Sequence, residues 1–389
     1  MSETGVDIAK IAAKNRLEEP VFVTRTRLPD FERFQEHLRP IWKSHWVTNN
    51  GDIHARFERK LGERLGLRHV SLTCNGTLAL MIAVRALGLK GEVITTPFTF
   101  PATPSSLVWN GINPVFCDIA PGTFHIDPDR IEEAVTPMTT AVLAVHVYGN
   151  PCDVEGIDRV AEKYGLKVLY DAAHAIAVKY RGVPLSEFGN ASIFSFHASK
   201  LFHTFEGGAL VTSDEDLKRQ ADYLRNFGIA DEETVLMPGI NAKMNELQAA
   251  IGLLGLELMD EEIAARKNLF LRYNALLKGL PGITCPATGR DVDYNYMYYP
   301  VLVDKAASGL SRDALHDTLK ACNIFGRKYF YPLASEYPFF SKLESSAPER
   351  LGHARRAADS VLCLPLYGEL ESEKVETVCF IIKEALRSA

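Results

Sequence analysis

Two patterns of apolar residues alternate along the first half of the chain. Ala141–Val147 (AVLAVHV) and Lys167–Tyr170 (KVLY) are apolar at nearly every position, as strands covered by helices on both faces are. With them, His69–Thr73, Glu92–Thr96 and Pro114–Ile119 read as strands. Apolar residues spaced three and four apart predict helices over Leu28–Trp42, His54–Leu65, Gly76–Gly88, Ala102–Asn110, Pro128–Val135 and Val154–Tyr164. Repeated strand-helix alternation predicts an α/β fold with a doubly wound, mostly parallel sheet. Past Gly208 the pattern gives a strand, a helix over Asp214–Asn226, and a long helical stretch from Asn241 to about Leu277. A mixed α+β region follows, with a strand at Tyr299–Val303 and helices at Ser311–Cys322 and Glu373–Arg387. The expected division is an N-terminal arm over residues 1–25, a large α/β domain over 26–262 and a smaller C-terminal α+β domain over 263–389.

Composition narrows the function classes. A chain of 389 residues is long enough for two cores, and 47% apolar with 24% charged residues is an ordinary globular balance. The net charge of -6 argues against a nucleic-acid surface, which needs a basic face. No apolar run approaches the length of a membrane span. The opening MSETGVDIAKIAAKNRLEEP resembles neither a signal nor a transit peptide. Seven scattered cysteines, none in a CxxC pair, read as reduced thiols, so a cytoplasmic location is expected.

The candidate chemistry centres on Ile193–Val211, IFSFHASKLFHTFEGGALV. Lys200 stands there among apolar and aromatic neighbours. Desolvation lowers a lysine pKa, and a neutral amine can form a Schiff base with a carbonyl; the same lysine could instead snorkel to water. In an open α/β sheet, ligands sit beyond the carboxyl ends of the strands. Asn75-Gly76-Thr77 lies at such an end, where backbone N–H groups and the helix dipole favour an anion, or where an ordinary turn would serve. Asp171 ends the apolar strand KVLY and needs a partner there, or acts as a helix N-cap. His197 and His203 flank Lys200 at a spacing that fits no trusted metal site, so no metal is expected. WVTNNG at Trp46–Gly51 reads as a turn built by Asn-Asn-Gly.

SFHASKLFHTFEGG resembles the SFHATK…EGG signature of the DegT/DnrJ/StrS family of sugar aminotransferases, with Ser199 where threonine is usual. The resemblance runs from about Trp46 to Tyr331. It implies the fold-type I architecture, with a mostly parallel mixed sheet flanked by helices, and pyridoxal 5′-phosphate (PLP) held as a Schiff base on Lys200. It further implies a phosphate cup of Gly76, Thr77 and Ser195, and an aromatic, Phe100, stacked on the cofactor ring. Asp171 would pair with the ring nitrogen, and His174 would lie beside the ring hydroxyl. Asn241, in GINAKM, would reach the phosphate of a neighbouring subunit's site in a homodimer. The helix expected there carries Met244, Leu247, Ala250 and Leu253, a stripe suited to a partner, although a cap serving its own subunit is the other reading of Asn241. Trp46, Thr48, Asn295, Tyr296, Tyr329 and Tyr331 match elements bordering the sugar-nucleotide pocket.

WVTNNG, YGNPCDVEGID, NFG and YFYPL are most similar to the subgroup that aminates C4 of dTDP-4-keto-6-deoxy-D-glucose. L-Glutamate would be the donor and 2-oxoglutarate the by-product, and the amino sugar would serve O-antigen or other glycans. A 3-amino-sugar aminotransferase, a sugar 3-dehydratase and a non-enzymatic regulator on the same scaffold are the alternatives. The dehydratases carry histidine where Lys200 stands, which argues against that reading.

Overall fold

The strands of the first half assemble into one seven-stranded sheet. In the computed structural model, which describes residues 7–388, these are β1 (His69–Thr73), β2 (Glu92–Thr95), β3 (Asn113–Phe116), β4 (Thr139–Val145), β5 (Lys167–Asp171), β6 (Ala191–Ser195) and β7 (Gly208–Thr212). Their order is β1-β7-β6-β5-β4-β2-β3. All neighbours run parallel except β7, which is antiparallel to both β1 and β6. The sheet is therefore mixed but mostly parallel, the α/β arrangement that the alternating pattern predicts.

Its strands are buried on both faces because alternate residues enter different cores. Val142 and Ala144 of β4 pack with Phe57, Leu61 and Tyr170 on one side. Ala141 and Leu143 pack with Ala79, Ile82, Ala83 and Leu107 on the other. The covering helices include α1 (Asp52–Leu65), α2 (Gly76–Ala86) and α3 (Ala102–Trp109).

The reversal at β7 places the site. Gly208 pairs with Thr73 at the end of β1 and with Ser195 at the end of β6. The loop from β6 to β7, which carries Lys200, therefore returns to the edge where the parallel strands end. Asp171 closes β5 at that same edge.

Helix α4 (Glu246–Leu277) joins the two layers. It opens on a full capping box, with Asn245 and Gln248 exchanging side-chain to backbone bonds. At 32 residues it is about 48 Å long. Leu253, Leu256 and Met259 enter the large core, while Leu269, Phe270, Tyr273 and Leu277 enter the second. The expected boundary at 262/263 thus falls inside an unbroken helix. The smaller layer is an antiparallel sheet, β8 (Ile283–Thr284), β9 (Tyr299–Val303) and β10 (Val361–Leu364), in that order.

Three expectations change. The described part of the proposed arm is built into the small layer: Ile11 and Val21 are buried in its core, and Val21–Phe22 pairs in parallel with Ile324–Phe325. The helix expected from Asn241 begins at Glu246, so Asn241 is not its cap. Met244, Ala250 and Leu253 of the expected stripe are buried within their own chain and Leu247 is half-buried, so most of that stripe is spent on the core. No helix among the described residues is long and apolar enough to cross a membrane.

Candidate active site

The carboxyl edge of the sheet encloses a cavity of about 350 Å³. Asn75, capping α2, accepts the Leu78 N–H at 2.8 Å, while the N–H groups of Gly76 and Thr77 have no partner among the described residues. Two glycines let the backbones meet here. A Cβ on Gly76 would lie 2.9 Å from the Ser195 Cβ, and one on Gly208 would lie 2.7 Å from the backbone of Asn75 and Gly76. Gly76, Thr77 and Ser195 therefore converge on one wall, with free donors at a helix N-terminus, the arrangement that holds a phosphate.

Asp171 lines the same cavity and is buried. Its Oδ2 accepts from Thr103 Oγ1 at 2.7 Å and its Oδ1 from the Ala173 N–H at 3.1 Å. No cation lies within ion-pair distance of it among the described residues. Burial raises its pKa, opposed by those two hydrogen bonds and by the Lys200 charge. A buried carboxylate with only neutral donors is costly unless a cation joins it, so the site fits a ligand carrying a protonated ring nitrogen.

Lys200 projects into the same cavity from the β6–β7 loop. Desolvation pushes its pKa down to about 8, against the raising effect of Asp171. The loop is held by His197, whose Nδ1 accepts the Ser199 N–H at 3.1 Å and lies 2.8 Å from Ser199 Oγ. His203 is committed elsewhere, 2.7 Å from the Arg27 carbonyl.

His174 packs parallel to the rings of Tyr148 and Phe330, with Tyr298 edge-on. Its Nδ1 accepts the Tyr148 N–H at 3.1 Å, which leaves the proton on Nε2. Burial first, and Lys200 second, hold its pKa well below the ordinary range, so it is a neutral donor. Phe100 lines the cavity with 56% of its surface exposed, a large apolar ring with a free face.

The remaining predicted residues scatter. Tyr329 lines the cavity. Asn295 does not: it is fully buried, donating to the carbonyls of His174 and Ile176 at 2.8 and 2.9 Å and accepting the Met297 N–H at 3.1 Å. Its amide braces the loop behind His174 and has no face toward a substrate. Tyr296, at φ 56°, packs on Phe270 and Tyr294 in the small layer, outside the cavity. Tyr331 also lies outside, its ring beneath the Arg312 guanidinium at 4.7 Å. Trp46 borders a separate cavity of about 310 Å³ with Ile41, Gly51 and Glu246; Thr48 follows it in a turn where Asn49 and Asn50 take positive φ. Asn241 is exposed, accepts from Lys243 Nζ at 2.9 Å and does not reach its own chain's cavity.

Reasoning from sequence missed Thr103, Tyr298, Phe330 and Arg327. Thr103 could have been found as a hydroxyl in the helix after Phe100. The other three lie in aromatic-rich stretches that carry no local signal of which ring faces the cavity.

Comparison with known proteins agrees with this geometry. The chain is 46% identical over 368 residues to the dTDP-4-amino-4,6-dideoxy-D-glucose transaminase of Shigella dysenteriae, covering 95% of this chain and 100% of the relative. It is 45% identical over 361 residues to the Escherichia coli protein of the same name, covering 92% and 96%. The crystal structure of DesI in the presence of its TDP-sugar product superposes with a TM-score of 0.92 at 37% identity, covering 97% of this chain and 95% of that one. The model of the DegT/DnrJ/EryC1/StrS aminotransferase family matches residues 30–383, and the chain belongs to that family.

Proposed function

We propose that the protein is a PLP-dependent aminotransferase that converts dTDP-4-dehydro-6-deoxy-D-glucose to dTDP-4-amino-4,6-dideoxy-D-glucose with L-glutamate as donor. The observation that carries this reading is the placement of a desolvated lysine and a buried, cation-less carboxylate in one cavity beside free helix N–H groups. The residues present fit PLP. The Gly76 and Thr77 N–H groups and the Ser195 hydroxyl would hold its phosphate, Asp171 the ring N–H, and Phe100 the ring face. His174 Nε2–H would donate to the ring hydroxyl, and Lys200 would bind the aldehyde carbon. PLP, when bound, supplies an electron sink for the carbanion formed at the donor Cα.

The chain's own work is proton transfer and orientation. Asp171, ionised, would hold the proton on the ring nitrogen of the bound cofactor and so favour its electron-withdrawing form. With the cofactor bound, the free Lys200 Nζ would accept the donor Cα proton and would later supply a proton to C4 of the sugar. Its lowered pKa leaves a useful neutral fraction near pH 7 for this step. The cavity wall of Leu80, Val145, Ile193 and Phe330 limits water around the reacting carbon.

The same reading places the enzyme in the cytoplasm as a homodimer with shared sites. Support comes from Asn241, exposed and not among the residues that line its own cavity, beside a segment that leaves Phe227, Val235 and Leu236 48%, 66% and 54% exposed. Such a contiguous apolar surface suits a symmetric interface.

Purified enzyme with glutamate and a panel of dTDP-, UDP- and GDP-linked keto sugars tests the substrate, with products read by mass and the aminated carbon by NMR. Amine on C3, or no amine at all, would overturn the reading. Borohydride reduction and peptide mapping should put the pyridoxyl label on Lys200. For the dimer, Asn241→Ala and Lys200→Ala chains refolded together should regain activity, because one of the two mixed sites then carries neither lesion. Verified heterodimers that stay inactive would refute the sharing.

A further inference from the structure

The cavity wall is short of positive charge. It carries the carboxylates of Asp171 and Glu206 and, apart from Lys200, one guanidinium, that of Arg327. Arg327 enters from the small layer on a rigid mount. Its N–H donates to the Cys363 carbonyl at 3.1 Å, and its carbonyl accepts the Cys363 N–H at 2.8 Å. Gly326 before it is pressed so close to β10 that a Cβ there would meet the Cys363 oxygen at 2.9 Å. The guanidinium lies over the Tyr329 ring, 5.0 Å from its centre.

Neighbouring cations are committed. Lys328 pairs with Asp313 at 2.5 Å, and Arg312 binds Asp313 at 2.6 Å and the carbonyls of Ala358 and Val361. The Arg327 guanidinium has no hydrogen bond or ion pair among the described residues. A planar fork held by stacking, exposed at the border of the cavity it lines and left unpaired, is preorganised for an anion that arrives with the substrate.

Building on the aminotransferase reading, we infer that Arg327 receives a carboxylate of the amino donor and so sets the donor affinity of the first half-reaction. The donor reacts at its Cα, which is bonded directly to a carboxylate, so that group must enter the cavity beside Lys200. The diphosphate of a sugar nucleotide is held away from the reacting C4 by the whole hexose ring. It does not have to enter the cavity that Arg327, itself exposed, lines together with Asp171 and Lys200. The guanidinium fork matches a carboxylate in bidentate fashion, and its charge offsets the repulsion of Asp171 and Glu206 toward an incoming anion.

The test compares wild type, Arg327→Gln and Arg327→Lys as holoenzymes. Arg327→Gln should raise the KM for L-glutamate about 10- to 100-fold and leave the KM for the keto sugar within about threefold. Arg327→Lys should fall between, because it keeps the charge and loses the fork. Calorimetry provides a readout independent of turnover: 2-oxoglutarate should bind Arg327→Gln weaker by the same factor, while the melting temperature stays at the wild-type value. A wild type that makes no amino sugar takes down the functional reading and this inference together. A productive wild type with an unmoved glutamate KM in Arg327→Gln overturns the role of Arg327 alone, as does a keto-sugar KM that rises in parallel.

Discussion

Charge is buried in two places in this molecule, under opposite conditions. At the junction of the two layers, Arg266 and Glu262 are 1% and 3% exposed, and every strong group has a partner. Arg266 Nε meets Glu262 at 2.6 Å and its Nη1 donates to the carbonyls of Met297 and Leu366, both at 3.1 Å. Glu262 also accepts the Gly368 N–H at 2.9 Å and faces Arg27 at 3.3 Å. At the sheet edge, Asp171 and Lys200 share a cavity without forming an ion pair, and each is pushed toward its neutral form by desolvation. The difference teaches how to sort buried charges. A satisfied pair on one continuous helix holds layers together, whereas two ionisable groups that line a cavity without an ion-pair partner wait for chemistry from outside.

Removing the reactive amine has the largest expected effect. Lys200→Ala should abolish amine formation to the limit of detection while the thermal melt stays cooperative and close to wild type. Retained turnover would dissolve the contrast, because Lys200 would then be only another buried cation. The junction pair should respond in the opposite way. Arg266→Ala leaves two carbonyls unpartnered, takes from Glu262 its nearest cation, and should cost about 3–5 kcal/mol in urea unfolding. Arg266→Met combined with Glu262→Gln should lose less than Arg266→Ala alone, and equal losses would show that the pair is not coupled.

Asp171→Asn keeps the shape and the Thr103 contact but removes the charge. It should lower kcat about 10²- to 10³-fold with cofactor still bound, which absorbance follows directly; near-normal turnover would return Asp171 to a structural role. Asn295→Ala sharpens the border between the regions. It breaks the brace behind His174 and should cost about 1–3 kcal/mol of stability, with KM for the sugar little changed. A KM effect without a stability loss would instead make Asn295 a substrate contact.

The smallest effect is a pH dependence. Lys200 is protonated below about pH 8 and neutral above it. PLP loading of the cofactor-free protein should therefore speed up about tenfold between pH 7 and 9 and then level off. A rate that keeps climbing toward pH 10.5 would mean that the cavity does not desolvate the amine.

Much of this site is legible without coordinates, but only along particular stretches. Gly76, Thr77, Asp171, Ser195 and Lys200 each follow or end a short apolar run, and such runs place the residues after them at the carboxyl edge of a sheet. Asn241 was legible as a motif, but the helix expected to start there begins only at Glu246, because the chain first makes a bridge to Asn226. YNYMYY shows where reading fails. Tyr298 and Asn295 lie four positions apart from Tyr294 and Tyr299 respectively, yet one ring faces the cavity and the Asn295 amide faces the backbone behind it.

The sequence by itself determined the alternating strands and helices, the edge at which ligands bind, and the lysine and aspartate that meet there. Periodicity and strand-end position are local properties that survive any rearrangement of the rest. Only the tertiary structure decided that residues from about Ile8 to Phe22 complete the small layer, that Tyr329 lines the cavity while Tyr296 and Tyr331 do not, and that Arg327 stands unpaired at its wall. These outcomes depend on how two layers, joined by one 32-residue helix, pack across hundreds of intervening positions. The face a side chain presents there is set by the neighbours that packing brings, and no local pattern encodes them.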